Sequence, residues 1–511
     1  MENSGSHFQQ MKPSQLPPRD SASRLFVILA ATVAVAVAAV DNDDAVMSSL
    51  LEAISPAPIG WSHSAHYCSM WKGVKCSSSG RVSAINLTHH NLTGTLPSNL
   101  ASLSELTSFN LRCNRFSGPL PSFANLSLLQ EIFLDYNNFT SVPPGCFQGL
   151  TSLLALTMNQ NINLDHWVFP IELTESPSLV KISLVSCNVK GPIPDIFGFG
   201  SFPKLRGLAL SHNNLSGVLP PTFAESGIQY LMLDTNKLIG TIGVVSNMTK
   251  LSQVWLSGNN FSGPIPDLSK LDTLFNINLQ DNKLTGVVPR SLISIPSLRN
   301  VSLANNLLQG PLPSFPSYVD NPNLRENSFC RATPGPCNWQ VAVLLEVAGD
   351  LGYPLSLASS WRGNDACEGW IFVGCDLLRN VVNVTFQKWG FTGRISPAFS
   401  NLTLLQNLRL NDNNLTGPIP ESLTHLHSLQ LLNVSCNNLS GTIPAFQSTV
   451  NLITTGNPLL ISSLEHNGTS TNGTTPVSPG GENNNDPVKA ATGKGREFKV
   501  IVAIGKIIVN P

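Results

Sequence analysis

The chain has 511 residues, with 30 Lys and Arg against 31 Asp and Glu, a net charge of −1 and only 12% charged residues. In an average soluble domain roughly a quarter of the residues are charged. The balance excludes a partner that needs a strongly basic surface, such as nucleic acid, and gives no sign of a polybasic membrane-binding segment. The length would suit about two to four ordinary domains unless an internal repeat builds one long structure.

Residues 1–40 have the pattern of a secretory signal peptide. A basic stretch ending at Arg19 and Arg24 precedes the uncharged apolar run Leu25–Val40, and the small residues at 36, 38 and 39 suit cleavage. The run is shorter than the roughly 20 residues of a spanning helix, although a retained anchor stays an alternative because the leader before Leu25 is long. We therefore expect entry into the secretory pathway.

Cysteine usage agrees with export, because six of the ten cysteines form close pairs in the sequence. The pairs are Cys68 with Cys76, Cys330 with Cys337, and Cys367 with Cys375. Such pairs favour disulfides in an exported chain, whereas zinc would require ligand spacings that they lack, so no metal or cofactor is expected. The others have no close partner, and some are expected to be small buried residues: Cys113, Cys146, Cys187 and Cys436.

Many N-x-[ST] sequons fit passage through a glycosylating compartment. The predicted glycosylation sites include Asn125, Asn247, Asn401, Asn467 and Asn472. Several other sequons carry less weight, because N-L-[ST]-G is also part of the repeat that fills most of the chain.

The central feature is a template that recurs from Val82 onward, with apolar residues at positions 1, 4, 6 and 11, Asn at 9, Gly at 13 and often Pro at 16. One copy contains Leu405, Leu408, Leu410, Asn413, Leu415, Gly417 and Pro420. Ten copies start at Val82, Leu106, Leu129, Leu153, Leu179, Leu205, Ile228, Leu251, Leu274 and Leu298, and three more at Val381, Leu405 and Leu429. This is the leucine-rich-repeat pattern.

The repeat predicts an α/β-type solenoid of short parallel strands, in two blocks separated by a non-repeat island. Alternating apolar residues at positions 4 and 6 suit a strand with one buried face, and neighbouring strands stack. An Asn at position 9 can satisfy backbone groups inside the turn. We assign ten repeats to residues 82–312, the island to residues 313–380 and three repeats to residues 381–450. Cys187 replaces the position-9 Asn in one repeat.

A terminal repeat needs a cover for its open apolar end, and residues 41–81 look like a disulfide-closed cap of this kind. Its Trp61, Cys68, Trp71 and Cys76 recur in the island as Trp361, Cys367, Trp370 and Cys375. The island is therefore expected to hold the end of the first block, closed by Cys330 and Cys337, and a second starting cap. It is either a folded spacer or a partner platform.

Beyond the repeats we predict a disordered polar linker over residues 451–497 and the start of a transmembrane segment over residues 498–511. Kinase and phosphate-loop motifs are absent from the chain, so we expect recognition rather than catalysis. The sequence leaves open a truncated product, an incomplete gene model and a natural soluble decoy.

The caps, repeats and island together resemble the extracellular half of plant leucine-rich-repeat receptor-like kinases, within them the transmembrane kinase subfamily linked to auxin signalling. The more specific segments are Ser328–Cys330, Ser360–Asp365 and Gly456–Pro458. The resemblance implies a single-pass cell-surface receptor with a cytoplasmic serine/threonine kinase, and an ectodomain that works with an apoplastic auxin-binding protein. It also allows for a co-receptor. The alternative function is that of a secreted inhibitor of a cell-wall enzyme. The expected location of the chain itself is extracellular, in the apoplast.

Aromatic residues at outward-facing strand positions are the candidates for partner binding. One pair is Phe133 and Tyr136, and a second group comes from successive repeats, namely Tyr230, Trp255 and Phe275. Scattered surface aromatics without a partner are the competing interpretation. We rank the second group first, because three neighbouring repeats can place its members on one patch.

Overall fold

The computed structural model describes residues 43–461. The predicted signal peptide, most of the predicted linker, the predicted membrane segment, Asn467 and Asn472 lie outside the described residues.

A long sheet runs through the first block, with one short strand from each repeat at positions 3–5. Its strands, in spatial order, are Val74–Cys76, Val82–Asn86, Ser108–Asn110, Glu131–Phe133, Ala155–Thr157, Lys181–Ser183, Gly207–Ala209, Tyr230–Met232, Gln253–Trp255, Asn276–Asn278, Asn300–Ser302 and Asp320–Asn323. All neighbours pair in parallel except the first two, where the cap strand is antiparallel. The last strand extends the first block into the predicted island.

The second block repeats this arrangement with a shorter sheet. Its strands are Val373–Cys375, Val381–Thr385, Asn407–Arg409, Leu431–Asn433 and Asn451–Ile453. The strand Asn451–Ile453, together with a further strand at Leu459–Ile461, lies where the disordered linker was predicted. The predicted start of the disordered linker at residue 451 is therefore wrong, because residues 451–453 and 459–461 form strands.

Position 10 of most repeats starts a second extended segment, and these segments form three further sheets on the return side. They are Ile54–Ser55, Thr93–Thr95, Arg115–Pro119 and Asn138–Ser141; then Lys190–Pro192, Asn214–Gly217, Lys237–Gly240, Asn260–Pro264, Lys283–Val287 and Leu307–Gln309; then Thr392–Arg394, Asn414–Gly417, Asn438–Thr442 and Leu459–Ile461. The position-13 glycines Gly217 and Gly417 have φ near +80° and +77°, a region in which a side chain is strained.

The helices are short and lie in the caps, the island and the return segments. The α-helices are α1 (43–53), α2 (Tyr67–Met70), α3 (Arg290–Ile293), α4 (Trp339–Asp350) and α5 (Leu355–Ser360). The 3-10 helices are Leu100–Ser102, Ile171–Glu175, Pro221–Glu225, Gly243–Asn247, Pro397–Asn401 and Glu421–His425. Each turn of the solenoid has a strand on one side, and in about half of the repeats the return on the other side contains a short helix.

The apolar positions of the repeat form two cores, one for each block. In the copy that begins at Leu205, the residues at positions 1, 4, 6 and 11 are Leu205, Leu208, Leu210 and Leu215, and each is at most 1% exposed. Burying a leucine of this kind contributes about 1.5–3 kcal/mol, so stacked repeats stabilise one another through a continuous apolar column.

The position-9 asparagines, which are buried or half-buried, form a ladder of hydrogen bonds along the first block. The Nδ2 of Asn213 donates to the carbonyls of Leu184 (2.7 Å) and Leu210 (3.0 Å), and its Oδ1 accepts from the backbone N–H groups of Cys187 and Val189, both at 3.0 Å. The same pattern recurs at Asn114, Asn236, Asn259, Asn282 and Asn306. Each rung thus satisfies backbone groups of its own repeat and of the preceding one.

The two caps have the same internal arrangement. Disulfides join Cys68 to Cys76 in the first cap and Cys367 to Cys375 in the second, and another joins Cys330 to Cys337 before the second cap. A pair of stacked indoles accompanies each cap disulfide, Trp61 on Trp71 with ring centroids 4.3 Å apart and Trp361 on Trp370 at 4.9 Å.

The second cap packs directly on the last repeats of the first block. The Oγ1 of Thr285 donates to the carbonyl of Tyr353 (2.8 Å), and the buried amide of Gln309 donates to the carbonyl of Trp361 (2.7 Å). The Tyr353 ring lies against Gly286, where no side chain stands in its way. Directed hydrogen bonds and an aromatic contact therefore hold the island against the return-side strands.

Candidate binding face of the long sheet

The solvent face of the long sheet is formed by positions 3 and 5, on either side of the buried position 4. Parallel pairing places Tyr230 between Gly207 and Gln253, and Met232 between Ala209 and Trp255. Because adjacent strands lie about 4.8 Å apart, side chains in one such row are in reach of each other. The backbone under this row is fixed by the sheet and by the asparagine ladder.

Within the second predicted group, Tyr230 and Trp255 lie on adjacent strands, two residues apart in register. The Tyr230 side chain is 42% exposed, whereas Trp255 is half-buried and its Nε1 is buried without a hydrogen-bond acceptor. Met232 pairs directly with Trp255 and completes an apolar cluster. Met232 was not among the predicted residues because it is not aromatic, although position 5 of the repeat predicts an outward side chain.

Phe275 lies on the same face but at its edge. It is 42% exposed and precedes the strand Asn276–Asn278, and its backbone N–H donates to the carbonyl of Ser252 (2.8 Å). It is therefore two strands from Tyr230 and nearer to the beginning of the strands than Trp255. We refer to Tyr230, Met232 and Trp255 as the apolar cluster and treat Phe275 as its flank.

The first predicted pair has a different environment. The guanidinium of Arg112 lies over the ring of Phe133, 4.2 Å from its centroid, and Phe133 is half-buried. Arg112 is itself held by the buried Asp135, which also accepts hydrogen bonds from Thr157 and Asn159. Phe133 thus has an intramolecular cation–π partner. Tyr136 is 58% exposed on the following turn with φ of +55°.

The described sequon residues Asn125, Asn247 and Asn401 are all exposed, as attachment of a glycan requires. Among the described residues, Cys113, Cys146, Cys187 and Cys436 form no disulfide. Cys146 and Cys187 are buried, and burial raises the pKa of each thiol to about 12. Such thiols are poor nucleophiles at neutral pH.

Residues 43–461 contain no group of three or more His, Cys, Asp or Glu side chains arranged to hold a metal ion. Within the same residues, no helix has both the length and the apolar character needed to cross a membrane.

The stacked strands, the asparagine ladder and the cap define a leucine-rich-repeat protein. Family models described as leucine rich repeat match residues 127–189, 204–226, 404–426 and 428–448. The leucine rich repeat N-terminal domain matches twice, at residues 42–77 and again at 337–376, within the predicted island. The second match covers α4, α5 and the disulfide Cys367–Cys375.

The chain is 46% identical to receptor-like kinase TMK4 of Arabidopsis thaliana over 394 residues, which is 76% of this chain and 42% of the relative. It is 40% identical to receptor-like kinase TMK2 of the same plant, over 75% of this chain and 44% of the relative. The chain therefore spans less than half the length of these relatives. The predicted resemblance to the ectodomains of plant transmembrane receptor-like kinases is confirmed.

Solved ectodomains with the same type of repeat include the Arabidopsis receptor kinase HAESA with a peptide hormone ligand. That structure has a TM-score of 0.49 and 21% identity, covering 83% of this chain and 86% of the other. The peptide hormone receptor RGFR1 in complex with RGF2 has a TM-score of 0.47 and 26% identity, covering 73% and 57%.

Proposed function

We propose that this chain is the extracellular recognition region of a plant receptor-like kinase and that the face of its long sheet binds a protein or peptide partner. The observation that carries the proposal is the apolar cluster of Tyr230, Met232 and Trp255 on the solvent face of a rigid sheet. Tyr230 is exposed, and the half-buried Met232 and Trp255 lie beside it in the same two strands. Partly exposed apolar groups that adjoin one another in this way are common at binding surfaces.

The rigidity of the sheet favours binding through these side chains. Their strands are bound on both sides by parallel neighbours, and the ladder residues Asn236 and Asn259 fix the turns that follow. A partner therefore meets side chains whose backbone is already ordered, which lowers the entropy lost on association.

Similarity to TMK4 and TMK2, both named as receptor-like kinases, supports the assignment to a receptor. Disulfides and exposed sequons fit a location in the secretory pathway and at the cell surface or in the apoplast. By the family resemblance, the partner is an apoplastic hormone-binding protein, in particular an auxin-binding protein, and the role is hormone signalling. A co-receptor is a second candidate partner. Recognition, not catalysis, is the role proposed for the chain itself.

The test is direct binding between the secreted full chain and an apoplastic auxin-binding protein, measured by biolayer interferometry with and without auxin. Tyr230→Ala and Trp255→Ala should each weaken binding by about fivefold or more, since an anchor residue contributes more than about 1 kcal/mol. Ile239→Ala is the matched control, because Ile239 is 49% exposed in a return-side strand. Equal affinity of all variants would contradict the proposed surface. No binding of the wild-type chain would contradict the proposed partner.

A further inference from the structure

Beside the apolar cluster, one strand of the long sheet has almost no side chains on its solvent face. The outward residues of the strand Gly207–Ala209 are a glycine and an alanine. Its neighbours place Lys181 and Ser183 on one side and Tyr230 and Met232 on the other. The missing side chains leave a groove of about 410 Å³ whose floor is the backbone and methyl group of this strand.

The groove continues at the beginning of the strands into a second hollow of about 330 Å³. The two share Val180 and Arg206 in their walls. The second hollow is also lined by Phe199, Gln229 and two lysines, Lys204 and Lys250. Together they form an elongated depression with apolar and basic walls, which we call the Gly207 groove.

The charge of the Gly207 groove has one sign. Lys181, Lys204, Arg206 and Lys250 are exposed, and no Asp or Glu lines either hollow. Among the ion pairs within residues 43–461, none involves any of these four cations. Four like charges on one depression repel one another, and an anionic group placed among them would relieve that repulsion.

The opposite end of these strands carries the opposite charge. Asp234 follows the strand Tyr230–Met232, accepts a hydrogen bond from Ser211 and lies 3.6 Å from the His212 ring. A bound carboxylate is therefore favoured near Arg206 and disfavoured near Asp234. The lining of the depression therefore changes along its length, from basic where the strands begin to apolar over Gly207 and Ala209.

We infer that the Gly207 groove binds an extended peptide segment in which a carboxylate adjoins an apolar side chain. The carboxylate lies between Arg206 and Lys181, and the apolar side chain covers Gly207 and Ala209 against Tyr230 and Met232. Arg can hold a carboxylate through two parallel hydrogen bonds, and the apolar floor excludes water from one side of the pair. This inference rests on the proposed function and names the chemistry that the binding face selects.

The structure offers a change that fills the groove without straining the backbone. A Cβ at Gly207 would meet no atom closer than the Lys181 Cγ at 3.8 Å, and its φ is not in the left-handed region. Gly207→Phe should therefore fold normally and occupy the floor. Gly243→Phe is the matched control, since its Cβ would meet only Thr241 Oγ1 at 3.7 Å on the return side.

The experiment is selection of random linear peptides displayed on phage, using the full glycosylated chain as bait, followed by affinity measurement with the enriched synthetic peptides. We expect enriched peptides to share an acidic residue next to an apolar one. Arg206→Glu should weaken their binding by about tenfold or more, which is the loss expected for one charge-assisted hydrogen bond. Gly207→Phe should weaken it by about tenfold or more as well, because the added ring occupies the floor that the apolar side chain of the peptide would cover. Gly243→Phe and the return-side Lys237→Glu should leave it unchanged.

Each outcome separates this inference from the broader proposal. Peptides without an acidic residue, or peptides whose affinity is the same for Gly207→Phe and wild type, overturn the groove while leaving recognition by the long-sheet face intact. Failure to enrich any peptide, when the hormone-binding protein still binds the chain, likewise overturns the groove alone. If the wild-type chain binds neither a peptide nor the hormone-binding protein, both the groove and the proposed function are overturned. Circular dichroism and thermal unfolding of each variant verify that the fold is retained.

Discussion

The carboxylate of Asp43, only 1% exposed, accepts a 3.0 Å hydrogen bond from the backbone N–H of Val82, the first residue of the first repeat. The same carboxylate forms a bidentate pair with Arg81, through contacts of 2.7 Å and 2.6 Å. One side chain from α1 thus fastens the cap to the solenoid. In the second cap Gln340 has the corresponding role, since its Oε1 accepts from Val381 N–H at 2.7 Å.

Replacing Asp43 should loosen the first cap. Asp43→Ala leaves the Val82 N–H buried and unpaired and removes the partner of Arg81, so we expect a loss of about 2–3 kcal/mol in unfolding free energy. The loss is smaller than for a fully buried pair because the Arg81 side chain is 16% exposed. Urea unfolding followed by circular dichroism measures it. Glu52→Ala, which changes an exposed residue of the same helix, is the control. Equal stabilities for the two variants would show that Asp43 does not fasten the cap to the first repeat.

The contact between the second cap and the first block leaves no room for a side chain at Gly286. An added Cβ there would lie 2.6 Å from the Tyr353 ring, whereas at Gly417, with nearly the same φ of +77°, it would meet nothing within 4 Å. Both Gly→Ala changes carry the backbone strain of a positive φ, about 1 kcal/mol, so their difference isolates the contact with Tyr353.

We expect Gly286→Ala to be less stable than Gly417→Ala by about 1–3 kcal/mol, the usual range for overpacking. Hydrogen exchange by mass spectrometry should also show faster exchange in α4 and α5 for Gly286→Ala only. If both variants unfold alike and exchange in the island is unchanged, the docking of the second cap does not depend on this contact.

The repeat made much of the fold predictable from the sequence. Periodic residues such as Leu205 and Leu208 each obey one local rule, and that rule is copied along the chain, so the strands, the stacking and the role of Asn213 could be deduced without coordinates. The extension to residue 461 was missed because its last repeat lacks the expected apolar spacing. A single Asn457, which continues the ladder through bonds to Val434 and Leu439, was the available signal.

The binding face was less predictable because it depends on which residues become neighbours across strands. Trp255 was expected to be exposed, yet it is half-buried and its indole nitrogen is inaccessible to solvent. The Gly207 groove is formed where side chains are missing, and a glycine carries no aromatic or charged group that would mark a binding site in the sequence. The hydrogen bond from Val82 to Asp43 joins residues that are far apart in the chain, and no local sequence pattern predicts it.

Two buried thiols give the protein a pH dependence in the alkaline range. Burial raises the pKa of Cys146 and Cys187 from the ordinary 9.0 to about 12. Below about pH 9 each thiol is protonated in both the folded and the unfolded chain, and the stability is then independent of its titration. Above that pH the unfolded chain ionises while the folded chain does not, so unfolding is favoured.

We expect each thiol to lower the unfolding free energy by up to about 1.4 kcal/mol per pH unit between about pH 9 and pH 12. Because tyrosines and lysines titrate in the same range, the measurement compares the pH dependence of urea unfolding in wild type and in the Cys146→Ala, Cys187→Ala double variant. The variant should have the shallower slope, even though its stability at neutral pH falls from the lost packing. Iodoacetamide at pH 8 supplies the second readout: the exposed Cys436 should be alkylated in the folded protein, whereas Cys146 and Cys187 should react only after unfolding. Equal slopes in the two proteins, together with rapid alkylation of Cys187 in the native state, would show that these thiols are not sealed in the repeat core.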